Sequence, residues 1–429
     1  MELAEKILLE KFDIRPAVTA ATAEAEKKLA EPFAAIDEIA EANQYKVLAA
    51  FQKERIADMH FGWNTGYGYD DAGRDAVERV YADVFGTEAA LVRTQIVNGT
   101  HALAITLQGI LRPGDEMIYC TGGPYDTLEE VIGIRGKGMG SLAEFGVTYK
   151  QVELAEDGTI DLEAVCNALT PKTRMVCVQR ATGYAWRKAV TIPQIREWAD
   201  MVHGINPNII CMADNCYGEF LDSLEPTDVG VDVMAGSLIK NPGGGLALSG
   251  GYVCGRKDLI DQIAYRLTCP GIGGECGLTF GQTRTILQGL FMAPVTVAGA
   301  VKGAMLCGAV YDGLGYAVCP EVTDERSDII QAVRLDSPAA MSAFCRGIQA
   351  AAPVDSFVTP EPWAMPGYED PVIMAAGAFV QGSSIELSAD GPIREPYIVY
   401  FQGGLTYAHS KIGVMMSLQR LCDEGIVTI

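Results

Sequence analysis

The sequence predicts an α/β protein whose central sheet is mostly parallel and is covered by helices on both faces. Short apolar runs alternate with amphipathic helical patterns from about residue 89 to residue 266, and this alternation favours parallel strands joined by helices. Two of the apolar runs each end in one ionisable residue, Asp214 and Lys240. The 429 residues are too many for one ordinary core, so we expect more than one domain.

Composition and charge restrict the class of protein. The chain is 49% hydrophobic and 21% charged, as in soluble globular proteins, and its formal net charge is -22. An acidic chain is a poor partner for nucleic acid or an anionic membrane, because both bind basic surfaces. The apolar segments are short and interrupted by glycine or charge, so we predict no membrane span.

Cysteine and histidine usage favours a cytoplasmic location. The 12 cysteines are scattered, mostly in apolar runs, with no Cys-x-x-Cys pair and no signal-peptide pattern, which indicates reduced core thiols in a reducing compartment. None of the four histidines is spaced as a metal pair, so we expect no catalytic zinc site.

The chain divides into three predicted segments. Residues 1–54 have apolar positions at helical spacing and predict an N-terminal helical arm. Residues 55–290 carry the alternating strands and helices and predict the large domain, and residues 291–429 predict a smaller α+β domain. This smaller domain is expected to contain part of a long linking helix, strands near 329–333, 382–387 and 397–402, and a final helix from Thr406 to about Cys422.

A turn rich in small residues follows the first strand predicted in the large domain. Asn98-Gly-Thr-His comes after the apolar run 89–97 and before a helix that Pro113-Gly114 ends. Free amides at a helix start and the helix dipole favour an anion, and Gly99 lets a phosphate approach the backbone. Many α/β proteins carry such a turn with nothing bound, so by itself it is a weak indication of a ligand.

Asp214 and Lys240 together predict a cofactor. In open α/β sheets ligands bind at the carboxyl ends of the strands, which is where both residues are expected. A buried amine and a buried acid suit pyridoxal 5'-phosphate (PLP), because the amine forms a Schiff base and the acid keeps the pyridine nitrogen protonated. Ser237 is expected to reach the same ligand, and the glycines after Pro242 keep bulk away from the amine.

Both residues also have a simpler interpretation. Lys240 could be an end-of-strand charge that reaches water, and Asp214 could form a turn with Asn215 or a buried salt link. If Lys240 is buried, we expect desolvation to lower the pKa of its amine and to make it a better nucleophile and proton carrier.

Three loops complete the candidate motifs. Tyr125 follows a strand and a Gly-Gly-Pro turn, where its ring could lie over a flat cofactor. The Gly- and Tyr-rich loop 60–74 is either functional or a packed turn. Gly136-Lys-Gly-Met-Gly-Ser lacks the full Gly-x-Gly-x-x-Gly spacing and follows a helical pattern, which argues against a nicotinamide site.

Across these motifs the chain resembles the fold-type I PLP-dependent enzymes of cysteine and methionine metabolism, and within them the bacterial aluminium resistance protein or methionine gamma-lyase family. The matching stretches span nearly the whole chain and are Tyr67-Gly-Tyr-Asp-Asp-x-Gly-Arg-Asp, Asn98-Gly-Thr-His-Ala, Gly123-Pro-Tyr-Asp-Thr-Leu, Ala213-Asp-Asn-Cys-Tyr-Gly-Glu-Phe, Ser237-Leu-Ile-Lys-Asn-Pro-Gly-Gly, Pro270-Gly-Ile-Gly and Leu387-Ser-Ala-Asp-Gly-Pro-Ile-Arg-Glu-Pro-Tyr. The resemblance implies the fold-type I architecture, PLP, an amino-acid substrate, and a homodimer or homotetramer with shared active sites.

The resemblance also implies roles for individual residues. Lys240 would hold PLP as the internal aldimine, Asp214 would pair with the pyridine nitrogen, and Tyr125 would stack on the ring. These three are the predicted catalytic residues. The residues implied to bind the phosphate are Gly99, Thr100 and Ser237.

Three further roles are implied outside this group. In the lyases a Tyr and an Arg of the neighbouring subunit reach the phosphate, and Tyr69 and Arg74 are the nearest candidates, although their spacing departs from the lyase pattern. Arg394 would grip a substrate carboxylate through two parallel hydrogen bonds. Its alternative is a surface charge in a Pro/Gly turn.

We therefore predict a PLP-dependent lyase that acts on an amino acid by carbon–sulfur bond elimination. The residues alone do not identify sulfur as the leaving group. One alternative is another PLP reaction, such as transamination or aldol cleavage. The other is a protein with the PLP fold that binds without turnover.

Overall fold

The computed structural model describes residues 3–365 and 370–429. The chain forms two compact units: a large unit of Glu41–Gly183 and Lys188–Pro294, and a small unit of Met1–Ala40, Tyr184–Arg187 and Val295–Ile429. The division after Pro294 lies near the predicted boundary at 290. The predicted arm 1–54, whose first two residues lie outside the described ranges, is shared between the two units rather than forming a third.

Twelve α-helices and twelve strands occur in the described ranges. The helices are α1 (Leu3–Phe12), α2 (Pro16–Lys27), α3 (Ala30–Lys53), α4 (Ala72–Val84), α5 (Gly99–Ile110), α6 (Glu129–Ile132), α7 (Leu162–Ala168), α8 (Ile192–Ile205), α9 (Lys257–Leu267), α10 (Thr283–Gly313), α11 (Pro338–Ala350) and α12 (Tyr407–Asp423). The strands are β1 (Ala89–Arg93), β2 (Glu116–Tyr119), β3 (Thr148–Gln151), β4 (Thr173–Gln179), β5 (Ile210–Asp214), β6 (Val233–Ser237), β7 (Gly251–Gly255), β8 (Val318–Cys319), β9 (Ile330–Arg334), β10 (Val372–Ala375), β11 (Ser388–Pro392) and β12 (Ile398–Gln402).

The large unit is built on a sheet with the strand order β1-β7-β6-β5-β4-β2-β3. The pairs from β6 to β3 are parallel, and β7 runs antiparallel to both of its neighbours. β4, β5 and β6 are almost continuously apolar and buried, as expected for strands with covered faces. The predicted fold class, an α/β protein with a mostly parallel sheet, is confirmed.

Two helix starts of the large unit are fixed by side chains. The Asn98 side chain accepts a hydrogen bond from the His101 amide and begins α5. The Asp71 side chain does the same with the Arg74 amide, at 2.9 Å, and begins α4. Each cap satisfies an amide that the helix itself leaves unpaired. The cap of α5 thereby fixes the start of the predicted anion turn.

The small unit carries an antiparallel sheet with the order β10-β11-β12-β9-β8. β9, β12 and α12 fall within one residue of their predicted positions. The predicted strand at 382–387 is wrong, because this stretch is a turn and the strand begins at Ser388. The Glu386 carboxylate accepts the amides of Phe379 and Val380, at 2.8 and 2.9 Å, and closes the turn.

The helix α10 is long and apolar. Within the described ranges it alone is long and apolar enough to cross a membrane by length and composition, with a mean hydropathy of 1.6. However, 78% of its most apolar window is buried inside the protein. This degree of burial is typical of a core helix.

Candidate active site at the carboxyl ends of β5 and β6

Two neighbouring strands deliver the predicted ionisable pair to one edge of the large-unit sheet. Asp214 is the last residue of β5, and Ser237 is the last residue of the adjacent parallel strand β6. Lys240 follows three residues after Ser237 and caps a short 3-10 turn, Asn241–Gly243. Asp214 and Ser237 are buried and Lys240 is partly buried.

The start of α5 reaches the same edge. Gly99 is the first residue of α5, and a Cβ atom built on it would lie 3.2 Å from Cβ of Ser237 and 3.4 Å from Sγ of Cys216. A side chain there would fill the space between the helix start and the two strands. The turn therefore leaves open a cradle lined by backbone amides and the Ser237 side chain, which suits a phosphate group.

The other two predicted contacts adjoin this turn. The Thr100 hydroxyl lies 2.6 Å from the hydroxyl of Thr127, which belongs to the 3-10 turn Asp126–Leu128. Tyr125 begins that turn, and a Cβ atom on Gly183 would lie 3.6 Å from its ring. Tyr125 is thus held in the neighbourhood of the α5 start.

The electrostatics of Lys240 differ from our expectation. Its Nζ lies 3.9 Å from the centre of the Tyr217 ring. Burial acts to lower the pKa of the amine, but Cys216, Tyr217, Asp214 and Glu219 carry negative charge when ionised, and together they raise the pKa of Lys240 above its ordinary value. The predicted lowering is therefore wrong, because the neighbouring acidic groups outweigh desolvation.

Asp214 is placed as an acceptor at the strand end. Burial raises the pKa of its carboxyl group, while the nearby Lys240 and the Cys216 amide oppose this rise. Oδ1 accepts a hydrogen bond from the Cys216 amide at 3.1 Å. This bond fixes the orientation of the carboxylate, as a partner for a ring N–H requires.

A buried polar network holds the turn that follows Asp214. Arg180 and Glu225 form an ion pair at 3.6 Å with both side chains fully buried. Asn215 joins them, since its Oδ1 accepts from Arg180 Nη1 and its Nδ2 donates to Glu225 Oε2, each at 3.0 Å. Glu225 Oε1 accepts the Phe220 amide at 2.8 Å. Removing one partner of such a pair typically costs about 3–5 kcal/mol, so the turn is rigidly held.

Four buried residues near this site were not predicted from the sequence: Arg180, Glu219, Glu225 and Tyr252. Arg180 directly follows the apolar strand β4, the same signal that identified Asp214 and Lys240. Glu219 Oε1 accepts a hydrogen bond from the Tyr252 hydroxyl at 2.6 Å, and both side chains are buried. No sequence signal indicates this pair, because tertiary packing brings its members together.

The residue set fits PLP. The chemistry that the cofactor requires is an anion cradle, a carboxylate for the ring nitrogen and an amine for the aldehyde. The cradle at Gly99, the Asp214 carboxylate and the Lys240 amine supply these groups at one sheet edge. The missing side chain at Gly99, where a Cβ atom would enter this cradle, is the structural observation that favours a bound phosphate over an ordinary turn.

Tyr69 lies in the loop before α4 and Arg74 lies in the first turn of α4, and the two side chains have different surroundings. Arg74 is buried, and its Nη1 donates to the carbonyl oxygens of Gly68 and Gly277 at 2.6 and 3.3 Å. It also forms an ion pair with Asp75 at 2.9 Å. Tyr69 is exposed and stacks on Tyr67 with the ring centres 5.4 Å apart. Tyr69 is therefore accessible to another molecule, whereas Arg74 fastens its own loop.

Arg394 lies in the small unit at the rim of a small cavity. The cavity has a volume of about 220 Å³. The residues that line it are Tyr184, Trp186, Pro392, Arg394, Glu395, Pro396, Ile398 and Tyr400. The Arg394 side chain is 55% exposed and forms an ion pair with Asp370 at 3.4 Å. The guanidinium is accessible, as both carboxylate binding and a surface charge require.

A second arginine of the small unit, Arg326, was not predicted as a site residue from the sequence. Arg326 is buried, and none of its three guanidinium nitrogens has a hydrogen-bond partner within 3–365 and 370–429. Burial lowers the pKa of Arg326 to about 10, against the opposing effect of Asp328 and Asp324. The flanking acidic residues suggest a surface segment, so the sequence gives no indication of this burial.

Three side chains of the kinds that bind metal ions lie together near the amino ends of β5 and β6. His203, Cys211 and Asp232 place their ligand atoms within 4.8 Å of one another. Asp232 also forms an ion pair with Arg256 at 3.1 Å and accepts the Cys211 amide at 2.8 Å. An arginine on the same carboxylate competes with a metal ion, so this cluster is accounted for as a structural ion pair.

Comparisons with known proteins agree with the geometry. A family model described as methionine gamma-lyase matches residues 18–422. The uncharacterized protein YnbB of Bacillus subtilis (strain 168) is 51% identical over 393 residues, which cover 91% of this chain and 93% of YnbB.

Solved structures show the same relationship. A carbon-sulfur lyase involved in aluminium resistance from Clostridium novyi NT is 52% identical, covers 98% of this chain and 100% of its own, and superposes with a TM-score of 0.94. The PLP-dependent protein YhfS of Escherichia coli shares the fold at 18% identity, with a TM-score of 0.61 over 90% of this chain and 97% of its own. From the matched family model and these relatives, the chain belongs to the methionine gamma-lyase family.

Proposed function

We propose that this protein is a PLP-dependent lyase that breaks a carbon–sulfur bond of an amino acid. The observation that carries the proposal is the placement of the Asp214 carboxylate and the Lys240 amine after adjacent parallel strands, next to the open turn at Gly99. The methionine gamma-lyase family supports the reaction class, and the carbon-sulfur lyase of Clostridium novyi supports sulfur as the leaving atom.

The residues of the chain divide the work of binding and proton transfer. When bound, PLP supplies an electron-withdrawing ring that makes the α-proton of an amino acid acidic. Asp214 would accept a hydrogen bond from the ring nitrogen, and Tyr125 would cover one face of the ring. Lys240 Nζ would hold the cofactor and, once released, take the α-proton and return a proton to the product. The phosphate would be held by Gly99, Thr100 and Ser237.

Two arginines are candidates for the substrate carboxylate. Arg394 is the residue predicted from sequence, and its exposure and loose ion pair with Asp370 leave its guanidinium available. Arg326 is the competing candidate, because its buried guanidinium has no hydrogen-bond partner among the described residues, and such burial is costly unless an anion satisfies it. The steady-state kinetics of Arg394→Gln and Arg326→Gln decide between the two arginines. The variant that has lost the partner of the substrate carboxylate should have a strongly raised KM.

We also propose a homodimer or homotetramer with shared active sites. The loop before α4 exposes aromatic rings, and Trp63 and Tyr67 are 69% and 72% exposed. Exposed aromatic clusters typically mark a contact with another protein. Tyr69 in the same loop would reach the phosphate of the neighbouring subunit. We predict the same for Arg74, which would first have to leave its partners Gly68, Asp75 and Gly277.

A cytoplasmic location completes the proposal. All 12 cysteines are free thiols, and most of them are buried, which fits a reducing compartment. The negative net charge of -22 is unfavourable for binding to nucleic acid or to an anionic membrane.

The first experiment tests the cofactor and the lysine together. The purified protein is scanned for a visible absorption band, reduced with borohydride, digested and mapped for a modified lysine. We expect the label on Lys240 and no band in Lys240→Ala. Lys257→Ala is the matched control, because Lys257 is an exposed lysine of α9 in an ion pair with Asp261. A colourless protein that takes up no added PLP would overturn the proposal.

The second experiment tests the reaction. Sulfur-containing amino acids are supplied, and thiol, ammonia and α-keto acid are measured. Elimination requires the three products in equal amounts with no second substrate. Dependence on an added keto acid would instead identify transamination. A cofactor band that no amino acid alters would identify a binding protein without turnover.

A further inference from the structure

Glu219 is a buried carboxyl group that the proposed chemistry does not use. It lies in the turn after β5, next to the predicted active site. The Tyr252 hydroxyl donates to its Oε1 at 2.6 Å. Its Oε2 is buried and has no hydrogen-bond partner in the described part of the chain. A buried oxygen without a partner is costly, so its persistence calls for a functional explanation.

The backbone holds Glu219 close to Lys240. Asn241, which follows Lys240 in the chain, donates from Nδ2 to the carbonyl oxygens of Tyr217 and Glu219, at 3.0 Å each. Tyr217 and Phe220, on either side of Glu219, have φ values of 71° and 66°. Non-glycine residues rarely adopt this left-handed conformation, and it is often found at functional sites. The strained turn is thus fastened to the chain segment that carries the amine.

The position of Tyr252 is also built into the sheet. Tyr252 on β7 pairs with Gly236 on β6. A Cβ atom at residue 236 would lie 2.6 Å from the Tyr252 ring, so glycine is required for the ring to lie there. The Tyr252 hydroxyl is thereby directed to Glu219 Oε1.

Charge couples Glu219 to Lys240. Burial raises the pKa of Glu219 to about 8, while Tyr252 and Lys240 oppose this rise. Conversely, Glu219 is one of the groups that raise the pKa of Lys240. The titratable groups that face this pair are Tyr81, Asp214, Cys216, Tyr217, Glu225, Tyr252 and Cys254. Among them Asp214 is reserved for the cofactor ring by the proposed function.

We propose that Glu219 is a positioning residue that sets the protonation state of the Lys240 amine by gaining and losing its own proton. As a neutral acid it leaves Lys240 easier to deprotonate. As a carboxylate it stabilises the ammonium form of Lys240 and makes the amine a stronger base. The inference rests on the proposed function only in taking Lys240 as the reactive amine.

Chemical labelling of the amine at two pH values tests this role. The full-length protein, freed of cofactor, is pulsed with acetic anhydride, and labelling of Lys240 is measured by peptide mass spectrometry relative to the exposed Lys137. At pH 6.5 Glu219 is protonated, so wild type and Glu219→Gln should label at equal rates. At pH 9 the variant should label about 5–10-fold faster, because one unit of amine pKa corresponds to a tenfold rate. Equal rates at both pH values, or the same change at both, would overturn the inference.

Tyr252→Phe provides the independent variant. Without the Tyr252 hydroxyl the Glu219 carboxylate is less stable, so at pH 9 the labelling rate of Lys240 should lie between wild type and Glu219→Gln. In the double variant, Tyr252→Phe added to Glu219→Gln should not change the labelling rate of Lys240 any further. If Tyr252→Phe changes the labelling rate as much in the Glu219→Gln variant as in the wild type, Tyr252 does not act through Glu219, and the proposed coupling is contradicted.

The two proposals fail in different ways. If the proposed function fails, the wild-type protein gives no band that borohydride fixes onto Lys240. If the present inference fails, that band remains and the ratio of labelling rates does not depend on pH.

Discussion

The amine of Lys240 lies 3.9 Å from the centre of the Tyr217 ring, within the range of a cation–π contact. Such a contact is worth about 0.5–2 kcal/mol and holds the amine in one direction. We expect Tyr217→Leu to lower kcat by about tenfold, because the released Lys240 would then lose its orientation. Tyr217→Phe keeps the ring and should stay within about twofold of wild type. Equal losses in both variants would assign the effect to the hydroxyl instead of the ring.

The cradle at Gly99 leads to a prediction about cofactor affinity. A Cβ atom at this position approaches Ser237 to 3.2 Å and enters the space assigned to the phosphate. We expect Gly99→Ala to weaken PLP binding at least tenfold, as measured by the titration of cofactor-free protein. Gly204→Ala in α8 is the matched control, because nothing lies within 4 Å of the added Cβ. The control should bind PLP normally and gain about 0.5–1 kcal/mol of stability.

The sequence was sufficient to place Asp214, Ser237 and Lys240 because each follows a continuous apolar run. Parallel strands bring such positions to one edge of the sheet, so the candidate site follows from local pattern plus topology. The direction of the Lys240 pKa shift could not be predicted in the same way, because burial opposes the acidic groups Cys216, Tyr217, Asp214 and Glu219, which packing of the turn after β5 brings close to the amine.

The small unit shows the same limit more strongly. The sequence pattern of residues 382–387 predicts a strand. In the structure this stretch is a turn, because the Glu386 carboxylate accepts hydrogen bonds from two backbone amides. Arg394 was predicted to bind the substrate carboxylate because it lies in a stretch that resembles the family. Arg326 was not predicted as a site residue because its neighbours in the sequence are acidic, although its side chain is the more deeply buried of the two arginines. Burial of a charged side chain is a property of the packed chain and has no local signature.

The buried guanidinium of Arg326, which has no hydrogen-bond partner in the part of the chain that the structure describes, predicts a conflict between stability and function. Because burial outweighs the attraction of Asp328 and Asp324, replacing this guanidinium with an apolar side chain of similar length removes a net desolvation cost. We expect Arg326→Met to raise the free energy of unfolding of the ligand-free protein by about 1–3 kcal/mol. If Arg326 binds the substrate carboxylate, the same variant loses most of its activity. A destabilised Arg326→Met would instead assign a purely structural role to the guanidinium.

The exposed aromatic loop predicts the site of subunit assembly. We expect the double change Trp63→Ser and Tyr67→Ser to shift the protein toward smaller species in size-exclusion chromatography with light scattering. Phe357→Ser is the control, because Phe357 is 85% exposed but lies in the small unit, away from this loop in the chain. An unchanged mass in the double variant would place the interface elsewhere on the surface.

The raised pKa of Glu219 predicts a pH-dependent contribution to stability. Burial raises this pKa from an ordinary value of 4.5 to about 8, so between these values the folded protein binds a proton that the unfolded chain has released. Stability from this group is fully present below about pH 4.5 and is lost as pH rises toward about 8, with a limit on the order of 5 kcal/mol. Glu219→Gln cannot ionise, so its unfolding temperature relative to wild type should increase steadily from pH 5 to pH 8. Asp222→Asn, at a half-buried position of the same turn region, is the control and should follow wild type throughout. Parallel pH profiles for wild type and Glu219→Gln would mean that Glu219 is already ionised in the folded protein, and the account of its coupling to Lys240 would fail with it.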